Sequence, residues 1–526
     1  MIAILTSNGR AVSTRLRAGA SGLTNPSGAV ALLGLCGFAA HMLVASNYGY
    51  FRDELYYLAA GNHLSLGYVD FPFLIPLLAW LVSRTAGDSL VAIHVIPALA
   101  NGALIVVTGT IARELGGRRL AQTLAAAGSL VCLTFLATGA IFSMDALDEL
   151  WWALIALLVI RMVRRGEPRL WLAVGAVAGL GMATKVTILF FIAALGGGLL
   201  ATPARAYLQS RWAWVGAAVA AIFLAPYVVW EFQSGWPTLP YWHNYLGTLV
   251  PPSPVNFAAQ QAYVMNPLTL PLWLGGTYWY LRGRGGPELR ALGIAFTALF
   301  VYFAFTPTKS YYLAPAYPMM FAAGAVWLEA RGAAARIGRW FWGYLAALGI
   351  SGALLAPIAM PILPPPTFAS AYGFLGSDAG AKIALHQNAV LPQWLADRFG
   401  WESLVHEVAA VYYRLPVRKR REACIFTDDY GEAAAIDVLG TAEGLPPAIS
   451  GNNSFYFWGP SGCTAHVVIT VGVTRRDASA AFRHVSAAGR TKCSYCMPQE
   501  DGVPILVAQQ PRRPIGLLWP TVEQLN

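Results

Sequence analysis

Apolar stretches of roughly 17–22 residues recur along the first 360 positions, and each is long enough to cross a bilayer. They fall at about 28–46, 89–112, 120–140, 147–163, 169–185, 187–202, 212–232, 266–282, 289–306, 311–329 and 338–359, with ends good to a few residues. Only 12% of the chain is charged and 56% is hydrophobic, against about 25% charged in an ordinary soluble domain. The expected fold is therefore an α-helical polytopic membrane protein with about 11 transmembrane helices.

A net charge of +10 raises the question of nucleic acid, but the distribution of the charge excludes it. The basic residues sit in short clusters between spans, such as Arg161, Arg164, Arg165 and Arg169, or Arg282, Arg284 and Arg290. That is the positive-inside pattern of cytoplasmic loops. With residues 1–27 as a cytoplasmic tail, eleven crossings put every such cluster inside and the C-terminal part outside. Residues 72–86 are apolar but short, and they contain Pro72 and Pro76. Counting them as a crossing would invert the sidedness of all that follows, so 47–88 reads as a first outer loop with interfacial helices. The first outer loop and the C-terminal part are then expected on the same, outer face of the membrane.

After the transmembrane part, 28–360, the composition shifts. "PILPPP" (361–366) reads as a stiff linker, and 361–526 as a periplasmic soluble α/β domain. There "EACIFTDDYGEAAAIDVLG" suggests strand, turn and helix, while "HVVITVG" and "PILVAQQ" suggest further strands. Cys36, Cys132 and Cys424 read as buried thiols. Cys463, Cys493 and Cys496 lie where an oxidising compartment favours a disulfide between two of them, though C-x-x-C also suits metal binding or redox chemistry.

The chemistry is expected at the outer face. Acidic residues of the membrane part gather on outer loops and span ends, among them Asp53, Glu54, Asp70, Asp145, Asp148 and Glu149. The only lysines before residue 360, Lys185 and Lys309, fall on the same side. Cations opposite carboxylates at the end of an apolar bundle suit an anionic ligand and acid/base chemistry, and ionisable groups so placed are functional candidates. His41, within the first span, reads as a packed core histidine.

These residues carry a resemblance. "FRDELYY", "GYVDFPFL", "SMDALDELWW", "GLGMATKVTILFF", "TPTKSYYLAPAYPMM" and "YGEAAAIDVLG…GLPPAISGNNSFYFWGP" occur in an order similar to that of class C membrane glycosyltransferases. The bacterial family-39-like branch is meant, related to protein O-mannosyltransferases and lipid A aminoarabinose transferases. The resemblance implies a polyprenyl-phosphate-linked sugar donor and transfer on the periplasmic face of a bacterial inner membrane to a glycan, lipid or protein acceptor. It makes Asp53 the catalytic base, with Asp148 and Glu54 as supporting acids, and Asp145 as the rival of Asp148. Lys185, Lys309 and Tyr312 match positions near the donor phosphate. Arg52 joins them because Phe71 stands where aminoarabinose-branch relatives carry a lysine. Asp70, Asp145 and His63 are further acid or metal candidates; no cofactor is certain, and a divalent cation stays open. A transporter or flippase for a lipid-linked anion is the alternative, but it would need its ionisable groups near the bilayer midplane.

Overall fold

The computed structural model describes residues 27–249, 252–334, 338–376, 389–460 and 462–526. The expected cytoplasmic tail thus lies, but for its last residue, outside the described residues. A helical bundle opens with α1 (Gly28–Leu43), followed by two helices of the outer loop, α2 (Arg52–Asn62) and α3 (Leu74–Ala86). Next come α4 (Leu90–Glu114), α5 (Arg119–Leu130), α6 (Leu133–Gly139), α7 (Met144–Arg165), α8 (Trp171–Thr184) and α9 (Ile188–Leu200). The bundle continues through α10 (Arg211–Ser234), α11 (Thr238–Thr248), α12 (Pro254–Val264), α13 (Leu270–Leu281), α14 (Arg290–Phe305), α15 (Tyr317–Ala334) and α16 (Gly338–Ala359).

Every predicted span meets a helix. By length and apolarity, three helices among the described residues suffice to cross a membrane: α4, α10 and residues 340–359 of α16. The span expected at 120–140 is not one helix but two, α5 and α6, bent by 63°. The break at Val131 frees a backbone carbonyl that the helix would otherwise use. Asn266 Nδ2 donates to it at 3.1 Å, and Thr134 Oγ1 donates across to the Val264 carbonyl at 3.1 Å. Irregular backbone at this depth is tolerated where protein groups satisfy it in this way. Elsewhere the helices approach closely. A Cβ added at Gly276 would stand 2.0 Å from the Met320 carbonyl oxygen, so only glycine permits the crossing of α13 on α15.

The C-terminal part carries α17 (Trp401–Arg414) and α18 (Tyr430–Leu439), with five strands: β1 (Ala423–Thr427), β2 (Ala448–Ser450), β3 (Val467–Val471), β4 (Phe482–Arg490) and β5 (Pro504–Pro511). The sheet order is β2-β1-β3-β5-β4. β1 is parallel to β2 and β3, whereas β5 is antiparallel to β3 and β4. Sequence reading located β1, β3 and β5 but missed β2, which is only three residues long, and β4, whose face is largely exposed and carries no clean apolar alternation.

Three expectations change. Pro365 and Pro366 begin a helix, Pro365–Gly376, because proline's fixed φ suits a first helical turn; the stretch is not purely a spacer. The C-terminal part is also not a separate body, since Leu55, Tyr57 and Phe71 of the outer loop share one apolar core with Val405, Ile425, Ile436 and Val507. Finally, Cys424 is not a free thiol. It is bonded to Cys463, while Cys493 pairs with Cys496; Cys132 is buried and Cys36 is exposed. His41 is buried in the bundle, as expected.

Candidate active site

The outer loop supplies the first half of the site. α2 starts where the Arg52 N–H donates to the Asp397 carbonyl at 3.1 Å, which ties the helix to the segment before α17. From this first turn the three charges diverge. Glu54 turns inward, is fully buried, and accepts hydrogen bonds from the Phe51 and Phe142 N–H groups at 2.8 and 2.6 Å. His94 bridges it to the Ala45 carbonyl, with 2.7 Å at each end. Burial alone would raise its pKa, but His94, Arg398 and the Phe142 N–H together hold it below the usual carboxylate range. Glu54 thus ties the outer loop to α4 and to the residue pair before α7.

Asp53 turns the other way. Its side chain keeps 34% exposure, stands 3.8 Å from Arg52 Nε, and accepts a hydrogen bond from Tyr430 Oη at 2.8 Å. The Arg52 guanidinium lies 5.2 Å from the Tyr430 ring centroid. Burial opposes its charge, yet Tyr430, Asp397, Asp429 and Asp53 keep Arg52 protonated well above the ordinary arginine value.

The bundle supplies the second half. Asp145, in the first turn of α7, meets Lys185 just beyond the end of α8, with Nζ 2.5 Å from Oδ1. Lys185 Nζ also sits 5.1 Å from the Tyr312 ring. Lys309 precedes the short helical turn Ser310–Ala316 and lies 5.4 Å from the Tyr245 ring of α11. No carboxylate within ion-pair distance of Lys309 occurs among the described residues, which leaves it the least neutralised cation of the site. The Tyr245 and Tyr312 hydroxyls are 3.2 Å apart and link α11 to that turn.

Asp53, Asp70, Asp145, Lys185, Lys309 and Tyr312 line one chamber of about 380 Å³, and Arg52 forms part of its wall. Four distant stretches of sequence therefore converge. Asp70 receives a hydrogen bond from Tyr56 Oη at 3.2 Å. Burial, reinforced by the nearby Asp53, pushes its carboxyl up to about 7, against the pull of Tyr56. An apolar groove of about 220 Å³, walled by Leu133, Ala137, Ile141 and Val264, adjoins the chamber and shares Arg52, Asp53, Asp145 and Lys309 with it. One wall of this groove is α6, the short helix that follows the kink.

Two further candidates are not brought together with these. Asp148 lies one turn deeper on α7, is 3% exposed, and accepts from Trp152 Nε1 at 2.9 Å. It borders only a small void behind the Asp145–Lys185 pair, so Asp145 takes the place in the chamber that sequence matching gave to Asp148. His63 stacks on Trp458 at 4.4 Å and lines a different cavity. Among the described residues, no group of three or more His, Cys, Asp or Glu side chains is placed to hold a metal ion.

In the C-terminal domain, Tyr430, Asp429 and Asn453 line the chamber, and the Ser454 N–H donates to Tyr56 Oη at 3.0 Å. Sequence reasoning pointed to the "ISGNNSFYFWGP" loop, which holds Asn453 and Ser454, but missed Asp429 and Tyr430. The strand-turn-helix signal around "TDDYGE" marks a place where side chains converge at the end of a parallel strand, without saying what they face. α11, with Tyr241, Trp242 and Tyr245, lies between the spans expected at 212–232 and 266–282.

Residues 70–230 match the family model described as dolichyl-phosphate-mannose-protein mannosyltransferase. Among solved structures, the chain is similar to ArnT from Cupriavidus metallidurans, bound to undecaprenyl phosphate and in the apo state. Each match has a TM-score of 0.60 and 14% identity and covers 90% of this chain and 97% of that chain. The chain therefore shares the fold of ArnT. No curated protein matches the chain as a relative. The family match runs from Asp70 through Asp145 and Lys185 to α10, and leaves out Asp53, Lys309 and Tyr312 of the chamber.

Proposed function

We propose that this protein is an integral membrane glycosyltransferase that moves a hexosyl or pentosyl unit from a polyprenyl-phosphate carrier to a glycan, lipid or protein acceptor. The reading includes eleven crossings and a chamber on the periplasmic face of a bacterial inner membrane. The observation that carries it is the convergence of Asp53, Asp145, Lys185 and Lys309 on one chamber beside an apolar groove, in a fold shared with ArnT. A polar head and a long apolar tail on one molecule fit a charged chamber that opens onto such a groove.

In this mechanism Asp53 takes the proton of the acceptor hydroxyl as that oxygen attacks the anomeric carbon. The bond to the carrier phosphate breaks, and the phosphate leaves with the bonding pair. Its charge is met by Lys309 and Lys185, with Arg52 and Tyr312 adjacent, as electrostatic stabilisation of a developing anion requires. Asp145 holds Lys185 at the chamber wall. One base and no nucleophilic carboxylate give inversion. If a divalent ion takes part, Asp53 and Asp70 are the carboxylates that would meet it, and chelation would then abolish turnover.

The test is release of polyprenyl phosphate from synthetic polyprenyl-phosphate sugars by purified protein, wild type against Asp53→Asn, with and without chelator. Release that is indifferent to Asp53 would remove the assignment of the base. A transporter reading predicts movement of the intact donor between leaflets with no release at all.

A further inference from the structure

The carboxylate proposed as the base owes its orientation to a residue 377 positions away. Tyr430 Oη donates to Asp53 Oδ1 at 2.8 Å, and no other hydrogen bond to Asp53 occurs among the described residues. One oxygen is thus tied down and the other left toward the chamber. Tyr430 is itself held firmly. It opens α18, and its N–H donates to Asn452 Oδ1 at 3.2 Å. Its ring packs 4.6 Å from that of Tyr56, and Arg52 lies against it. The next residue is cut to fit the same contact, because a Cβ at Gly431 would stand 2.6 Å from Arg52 Cγ. The Asp429 side chain accepts from the Gly431 N–H at 2.6 Å and fixes the turn that presents the phenol.

We propose that Tyr430 is a positioning residue for sugar transfer, through which the C-terminal domain aims the Asp53 carboxylate. This rests on the functional reading above. The domain is then part of the catalytic apparatus. A single hydrogen bond of 2.8 Å from a phenol that is itself packed and hydrogen-bonded fixes the direction of the carboxylate, and a general base acts only when it is held within reach of the proton it takes. The other charged or titratable groups facing Asp53 are Arg52 and Tyr57 of α2, Asp70, Tyr241 of α11, Tyr311, Asp397 and Asp429.

The experiment follows polyprenyl-phosphate release by the full chain, in detergent or nanodiscs. Tyr430→Phe removes the hydroxyl and keeps the ring that packs on Tyr56 and Arg52. It is expected to lower kcat about 10-fold and leave the donor KM within about 2-fold. Incorporation of 3-fluorotyrosine at 430 keeps both the hydroxyl and the packing, and should hold kcat within about 2-fold of wild type. If wild type is active and Tyr430→Phe leaves kcat unchanged, or lowers kcat only in step with a loss of folded protein, the positioning role is wrong while the glycosyltransferase reading stands. Absence of release by wild type with any polyprenyl-phosphate sugar would overturn both.

Discussion

Two helices, α2 and α7, begin at the chamber, and each carries acidic residues close together near its start. On α2, Asp53 faces the chamber and its neighbour Glu54 is buried against His94. On α7, Asp145 faces the chamber, whereas Asp148 and Glu149 are buried behind it, held by Trp152 and Thr138. Helix geometry explains both outcomes. A step of one residue turns the side chain by about 100°, and a step of three keeps roughly the same side but moves it about 4.5 Å along the axis. The carboxylate nearest the helix start reaches the cavity, and the later ones are packed into protein. Nearness in sequence to a catalytic acid is therefore weak evidence of sharing its role.

This contrast can be broken experimentally. Asp53→Asn should have the largest effect, a loss of roughly 10²–10⁴ in the rate of polyprenyl-phosphate release, with unchanged folding by gel filtration. Glu54→Gln should act on the fold instead. Breaking a buried charged network costs roughly 3–5 kcal/mol, read as a fall in thermal midpoint and in yield, with residual activity per folded molecule preserved. A Glu54→Gln protein that is well folded and inactive would contradict the division of roles within α2.

On α7, Asp145→Asn should slow release about 10-fold by loosening Lys185, and Asp148→Asn by no more than about 2-fold. The reverse order would restore Asp148 to the site. The smallest effect concerns Asp70. Its carboxyl is raised to about 7 in the folded protein, against about 3.9 in an unfolded chain. Between these values the folded state binds more protons than the unfolded state, so its contribution to stability falls as pH rises from about 4 to 7 and is flat above. Asp70→Asn removes this term while leaving an oxygen for Tyr56. The thermal midpoint of the variant relative to wild type should thus climb over that window, by a few degrees, and level off near pH 8.

Much of this was legible from the residues. The apolar runs located the bundle helices, because span length and hydropathy are properties of contiguous sequence. Lys185 and Lys309 were found because lysine is so rare in the membrane part that its placement carries information. The kink at Val131 was hidden, since the group that satisfies its carbonyl, the Asn266 side chain, lies 135 residues further along the chain. Motif matching preferred Asp148 to Asp145, whereas Asp145 is the one that lines the chamber. The choice depends on how deep α7 sits.

The sequence by itself determined a helical membrane protein with a small α/β C-terminal part, and a set of carboxylates and cations suited to an anionic lipid-linked donor. The tertiary structure alone decided which of them share a chamber, that Glu54 is buried against His94, and that Tyr430 reaches Asp53 from the far end of the chain. The reason is physical. Hydropathy is local and additive along the chain, whereas the direction of a side chain at a helix end depends on what packs against it, and here the packing partners come from hundreds of residues away.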